Sequence, residues 1–229
     1  MVSPPFTIGN QRHAFTLIEL LVVVSIIAIL ASLLIPAISL AQSMAMTTKC
    51  GSNLRQIYVA TLVYVDDQEG ALPPAMLDQT SGAGDLFWFS LLGPYAESAK
   101  GSNGSYQNLR QNSVIWGCPA YKKNPAFNWV CGYGMNRKPK LPGDSTVSSY
   151  CLDGAATSVF GGTYTVFTLD SIEYPSTRPL YGDSSQWNLV PAANTPARHR
   201  GNLSVVYCDG HVGGLTPARL RTLFNDPTK

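Results

Sequence analysis

The chain is poor in charge. Asp, Glu, Lys and Arg make up 13% of its 229 residues, about half the share of an average soluble protein. Sixteen basic and 14 acidic side chains leave a net charge of +2, and no run of like charge exceeds Asp66-Asp67 or Lys122-Lys123. A groove for a polyanion needs clustered cations, so no nucleic acid is expected as partner. The chain also lacks a CxxC zinc pair, a GxSxG elbow, a Walker loop and a dinucleotide fingerprint, each of which carries a specific chemistry. Neither an enzyme nor a bound cofactor is therefore expected. There is no internal repeat and no low-complexity tract, and hydrophobic residues reach 45%, which excludes a disordered or collagen-like chain.

The apolar excess is concentrated at the N-terminus. Leu20 to Ile35 reads LLVVVSIIAILASLLI, with Ser25 and Ser32 its only polar residues, and Pro36-Ala37-Ile38-Ser39-Leu40-Ala41 extends it. At about 1.5 Å per residue, Phe15 to Ala41 is long enough for a hydrocarbon core of about 30 Å. A secretory signal is shorter and ends at a small-residue cleavage site, so a retained single span is expected. Two residues are out of keeping with a plain anchor. Glu19 lies at the start of the run, where an ionised carboxylate in lipid costs several kcal/mol unless it is partnered. Pro36 lacks the N–H of an i to i−4 bond and predicts a kink.

Arg12-His13-Ala14-Phe15-Thr16-Leu17-Ile18-Glu19-Leu20-Leu21-Val22-Val23 resembles the processing site of type IV prepilins and type II secretion pseudopilins, and the match extends from Ala14 to Pro36. The resemblance implies a leader over residues 1–14, cut between Ala14 and Phe15 on the cytoplasmic side by the prepilin peptidase, which also methylates the new N-terminus at Phe15. Most members carry Gly where this chain has Ala14. It further implies that Glu19 pairs with the free amine of Phe15 in a neighbouring subunit, and that Pro36 is the family's helix proline. An assembly that sets an ammonium beside Glu19 turns a membrane penalty into a register-specific contact. Arg12, His13 and the terminal amine precede the span without acidic residues. By the positive-inside bias the leader is cytoplasmic and the rest of the chain lies outside the cytoplasmic (inner) membrane.

Beyond the span, residues 42–69 are expected to continue the helix outside the membrane. Leu54, Ile57, Tyr58, Thr61, Leu62 and Val65 recur at spacings of three and four, although Gly51-Ser52-Asn53 can weaken it. Asp66, Asp67 and Glu69 oppose the helix dipole at its end, and are read as solvated or as cation ligands. From residue 70 to 229 a globular domain is expected. Pro73-Pro74, Gly82-Ala83-Gly84 and Gly101 to Ser105 mark loops around a short apolar segment from Leu86 to Leu92. Tyr164 to Leu169 and Leu203 to Tyr207 read as strands, and Asp209-Gly210 as the turn of a hairpin ending at Leu215. Thr216-Pro217 opens a C-terminal helix. The class is α+β and pilin-like, a long N-terminal helix packed on a small antiparallel sheet with long insertions.

The second half carries another resemblance. His199, nine intervening residues, then Asp209-Gly210 before His211-Val212 is similar to the C-terminal motif of a large group of pilin-like proteins of planctomycete-type bacteria. Supporting pieces are Cys50 with Asn53-Leu54-Arg55-Gln56-Ile57, Trp116-Gly117-Cys118-Pro119, Tyr133-Gly134-Met135-Asn136, and Asp183 after Arg178 to Gly182. The group's domain has no known function, so the resemblance implies architecture rather than chemistry. Within the motif of residues 199–215, two readings stand. His199, Asp209, His211 and Asp183 can form a metal-holding cluster, or Asp209 shapes the turn and His199 bonds a backbone carbonyl. The second is preferred, and no metal is assigned.

Five cysteines, at 50, 118, 131, 151 and 208, all follow the span. An oxidising compartment would allow some to pair, with Cys118 and Cys131 the plausible short loop, and the odd count leaves at least one free. The reading that follows is a membrane-anchored, pilin-like or pseudopilin-like structural subunit. Its expected partners are the prepilin peptidase/methyltransferase, other pilin-like subunits and the membrane. One alternative is a binding module that recognises a polysaccharide or surface partner through exposed Trp88, Trp129 or Trp187. A second is a tethered hydrolase or metal binder built on the His/Asp cluster.

Overall fold

The computed structural model describes residues 16–77, 86–96, 117–121, 132–136, 156–159, 162–165, 168–186, 188–189 and 197–225. Two compact units divide at residue 42. Helix α1, Leu17–Asp67, begins in the first and ends in the second.

In the first unit the apolar side chains face outward all round the helix, with Leu17 88% exposed and Leu33 70%. A helix that is hydrophobic on every side needs an apolar environment, and α1 holds a window long and apolar enough to cross a membrane, none of it buried within the protein. The two hydroxyls of the run are satisfied locally. Ser25 Oγ donates to the Leu21 carbonyl at 2.7 Å and Ser32 Oγ to that of Ile29 at 2.7 Å, so neither needs an outside partner. The helix assignment continues through Pro36.

In the second unit α1 becomes one-sided. Gly51-Ser52-Asn53 does not interrupt it, because this stretch is packed: Cys50, Asn53, Leu54, Ile57, Thr61 and Tyr64 are all buried. The stripe is rotated from the sequence expectation. Leu62 is 41% exposed, and Cys50, Asn53, Ala60 and Tyr64 take the inward places. The helix ends with Glu69 left-handed at φ 53 and Gly70 N–H bonded to the Val65 carbonyl at 2.8 Å, a closing bond of the Schellman kind. Asp66, Asp67 and Glu69 are exposed there, consistent with solvation.

The buried stripe lies on a four-stranded antiparallel sheet of order β3-β6-β7-β8. These strands are β3 Tyr133–Met135, β6 Pro179–Asp183, β7 Leu203–Tyr207 and β8 Val212–Leu215. Two-residue strands β1, Met76–Leu77, and β2, Leu86–Phe87, pair separately, as do β4, Ala156–Val159, and β5, Gly162–Thr165. Helix α2, Trp88–Ala96, and α3, Pro217–Asn225, complete the elements. The class is therefore α+β, as expected.

Strand β7 is buried along its whole length because the sheet is covered on both faces. Val206 joins Leu54, Ile57, Trp88 and Tyr181 under α1 and α2. Leu203, Val205 and Tyr207 point the other way and meet Leu220 and Leu223 of α3. Alternation at period two delivers these two sets. Helix α3 starts as the sequence predicted, with Thr216 Oγ1 accepting the Arg219 N–H at 3.1 Å.

One expectation needs correction in part. Of the strand placed over Tyr164 to Leu169, Tyr164 and Thr165 belong to β5, residues 166–167 lie outside the described ones, and Leu169–Ser171 form a 3₁₀ turn. Thr168 makes only an isolated bridge to Ala71. The β7–β8 hairpin turns at Asp209-Gly210 as expected, with positive φ on Gly210 alone, at +87. Gly210 N–H bonds the Tyr207 carbonyl at 2.9 Å and Tyr207 N–H bonds that of His211 at 2.9 Å, the pattern of a three-residue loop closed by a left-handed glycine.

Gly210 is constrained twice. A Cβ there would enter the ring of Tyr58, whose hydroxyl donates to the Cys208 carbonyl at 2.9 Å and ties the turn to α1. Gly210→Ala is therefore expected to cost about 1–3 kcal/mol from the backbone conformation, with the clash in addition. Denaturant unfolding of the full chain in detergent measures it, and a loss below about 0.5 kcal/mol would show that the turn relaxes freely.

Candidate functional site

The start of α1 is the first site. Thr16 N–H and Oγ1–H both donate to Glu19 Oε2, at 2.9 and 2.8 Å, and Glu19 N–H donates back to Thr16 Oγ1 at 3.3 Å. This reciprocal arrangement of Thr-x-x-Glu is a capping box. It gives Glu19 a local partner that the sequence reading did not identify. The carboxylate also sits at the positive end of the helix dipole, which favours it there. Ala14 and Phe15 lie outside the described residues, as do Trp129, Trp187, Cys131 and Cys151.

The second site is in the other unit, and it does not have the expected membership. The proposed quartet His199, Asp209, His211 and Asp183 separates into two pairs. Asp209 and His211 are at the β7–β8 turn, with Nδ1 to Oδ1 at 2.6 Å, and Asp209 Oδ1 also accepts the His211 N–H at 3.1 Å. Both are partly open to solvent, their side chains 34% and 48% exposed. The turn-shaping reading of Asp209 thus describes its geometry.

His199 and Asp183 are buried elsewhere. His199 Nε2 is 3.1 Å from Asp183 Oδ2, and its Nδ1 is 3.2 Å from Thr47 Oγ1. The His199 ring therefore contacts side chains, not the backbone carbonyl expected of it. Beside this pair lie two thiols that the sequence reading had not connected with it. Cys118 Sγ is 3.9 Å from His199 Nε2 and 2.8 Å from Cys50 Sγ. Cys50, Cys118 and Cys208 are free thiols. Cys118 thus faces Cys50, and the pairing with Cys131 that the short spacing suggested falls on a residue outside the described ones.

Each member is brought in by a separate element. Cys50 is on the buried stripe of α1, and one turn later Asn53 Nδ2 donates to the Gly117 carbonyl at 3.0 Å. That bond holds the Cys118 loop against the helix. Asp183 ends β6, on the α1 face of the sheet, and its Oδ2 accepts the Ser204 N–H at 2.6 Å. His199 precedes β7 in a turn closed by reciprocal backbone bonds with Asn202, at 2.9 and 3.1 Å. Arg198 lies behind Asp183, Nη1 to Oδ1 3.9 Å, and donates to the carbonyls of Gly132 and Ser184, each at 2.7 Å.

The electrostatics follow from this crowding. The bond from Cys118 draws the Cys50 thiol down from its ordinary range. Cys118 is pushed up by that same bond and by burial. The Asp183 bond raises His199 and outweighs the burial that opposes it. Asp183 acts on both thiols as a like charge, raising each. Without a cation between them, this carboxylate resists formation of the thiolates.

Comparison with known proteins bears on the first site. Residues 9–35 match the family model of the prokaryotic N-terminal methylation motif. The chain thus carries the mark of a prepilin-like precursor. That span takes in the Ala14-Phe15 junction, Glu19 and most of the apolar run, and with the uncovered apolar helix it indicates membrane anchoring. No curated protein and no solved structure gives a significant match.

Proposed function

We propose that the chain is a pilin-like or pseudopilin-like structural subunit. In this reading the prepilin peptidase removes residues 1–14 and methylates Phe15. The mature chain stays in the inner membrane by the apolar half of α1, with its leader end cytoplasmic and its globular domain outside. It is then drawn by Glu19 into a type II secretion or type IV pilus-like filament with other pilin-like subunits. The role is structural and not catalytic, and the globular domain is of the His-x9-Asp-Gly kind.

The observation that carries this reading is the methylation motif over residues 9–35, placed at the head of a helix whose apolar side chains in the first unit are uncovered on all sides. The positive leader supports the orientation. A binding role through exposed tryptophans draws no support from Trp88, which is fully buried in the core. Mass spectrometry of the N-terminus from native membranes, with and without the peptidase, tests the proposal. The expected mature chain begins at methylated Phe15 and occurs only with the peptidase. An intact leader in both samples would make α1 a plain anchor.

A further inference from the structure

Four buried side chains of different chemistry converge at one point in the second unit. One ligand atom each from Cys50, Cys118, Asp183 and His199 can be chosen so that all lie within 4.8 Å of one another, and none of the four residues is more than 4% exposed. We propose that Cys50, Cys118, His199 and Asp183 form a structural binding site for a divalent metal ion, with zinc the ion that this donor set favours. The inference is independent of the filament reading.

The donor set fits zinc. Two thiolates, an imidazole nitrogen and a carboxylate oxygen are the ligand types that ion takes, with bonds of about 2.3 Å to sulfur and 2.0–2.2 Å to nitrogen and oxygen. A tetrahedron of those bonds has edges of about 3.3–3.8 Å. The present separations of 3.1 Å from His199 to Asp183 and 3.9 Å from His199 to Cys118 lie close to such edges. The two sulfurs, 2.8 Å apart, must part by about 0.9 Å to reach them.

Surrounding groups point the same way. Thr47 Oγ1 lies 3.2 Å from Nδ1 of the histidine and donates its own proton to the Ser43 carbonyl at 2.9 Å. It can therefore accept a hydrogen bond from Nδ1–H, the tautomer that leaves Nε2 bare and aimed at the cluster, the arrangement found behind metal-ligating histidines. A bare Nε2 and a carboxylate oxygen are both acceptors, so at 3.1 Å either a proton on Nε2 or a bound cation lies between them. Asp183 Oδ1 is buried with no hydrogen-bond partner. The charges also close: two thiolates and one carboxylate against a divalent ion and the Arg198 guanidinium sum to zero. A disulfide between Cys50 and Cys118 would explain the sulfur pair but not why a buried carboxylate and imidazole converge on it.

All four positions are taken from the protein and closed to solvent, so the ion would be structural. It would join α1, the Cys118 loop, β6 and the turn before β7, segments far apart in sequence. The test uses the full chain in detergent, purified without chelator and then stripped and reloaded with zinc or cobalt. Elemental analysis is expected to give one zinc per chain. Cobalt is expected to give the intense tetrahedral d–d bands and a thiolate charge-transfer band. Cys118→Ser should weaken binding at least 100-fold. His199→Gln should weaken it at least 10-fold.

A second measurement does not depend on the variants folding. Zinc should protect Cys50 and Cys118 of the wild-type chain from alkylation, and a chelator should release them, while Cys208, buried outside the cluster, serves as the internal reference. An intact chain lighter by two hydrogens, with Cys50 and Cys118 in one cross-linked peptide, would overturn the proposal in favour of a disulfide. Reduced protein that takes up no ion, or Cys118→Ser protein that binds as tightly as wild type, would overturn it outright.

Discussion

Replacing Asp183 with Ala is expected to lower unfolding free energy by about 3–5 kcal/mol, the usual cost of removing one partner from a buried ion pair. Its side chain has no solvent exposure and lies among three polar partners. Oδ2 takes the Ser204 N–H at 2.6 Å and faces His199 Nε2 at 3.1 Å, and Oδ1 lies 3.9 Å from Arg198 Nη1. Truncation leaves the Ser204 amide without its acceptor and strands Arg198, whose side chain is only 8% exposed, without an anion. Asp183→Asn separates the two losses. Its amide oxygen can still accept from Ser204, so only the charge is lost and about 1–3 kcal/mol is expected. Denaturant midpoints of the full chain in detergent, with a chelator present so that no bound ion contributes, measure both. A loss below 1 kcal/mol for Asp183→Ala would show that water reaches the Arg198 side and that the pair is not isolated.

Asp183 also shows where sequence reading stops. The elements with a period of their own were legible. The apolar run gave the exposed half of α1, the alternation from Leu203 to Tyr207 gave β7 to the residue, and Thr216-Pro217 gave the start of α3. The stripe on the outer half of α1 was legible as helix but misplaced around its axis. Small or polar residues such as Cys50, Asn53 and Ala60 carry little hydrophobic signal, although α1 packs closely enough there to bury them. The buried cluster was half legible: His199 and Asp183 were candidates, but they were grouped with Asp209 and His211 because of proximity along the chain. Whether β7 reaches back to the Asp183 end of β6 depends on register, with Gly182 opposite Val205, and spacing alone does not supply that. Cys50 and Cys118 are 68 residues apart, so no local motif links them. The available signal was their place in short polar-flanked pieces, Cys50 three residues before Asn53 and Cys118 next to Gly117, which a single hydrogen bond joins.

Glu19→Gln and Glu19→Ala are both expected to reduce incorporation of the processed subunit into filaments by about 10–100-fold, with leader removal largely intact. The structure makes the comparison of the two informative. Glu19 closes a capping box with Thr16, so a defect in Glu19→Ala alone could come from fraying of the helix start, a loss of about 0.5–2 kcal/mol. Glutamine serves the same box through its amide oxygen but carries no charge. If Glu19 acts on a neighbouring subunit's Phe15 ammonium, the Gln variant loses a charge-assisted bond of about 1.5–3 kcal/mol, which is the stated 10–100-fold, and it fails nearly as badly as Ala. If the side chain only caps its own helix, Gln assembles like wild type and Ala alone is impaired. The two roles are compatible in geometry. Thr16 supplies its N–H and hydroxyl to Oε2, and neither bond uses Oε1. The box therefore fixes the carboxylate at the head of the helix and leaves one oxygen to meet a cation from outside. Quantifying sheared filaments against total processed subunit in cells separates assembly from supply. Normal incorporation of both variants would remove Glu19 from the assembly mechanism and leave the apolar surface of α1 as its driving contact.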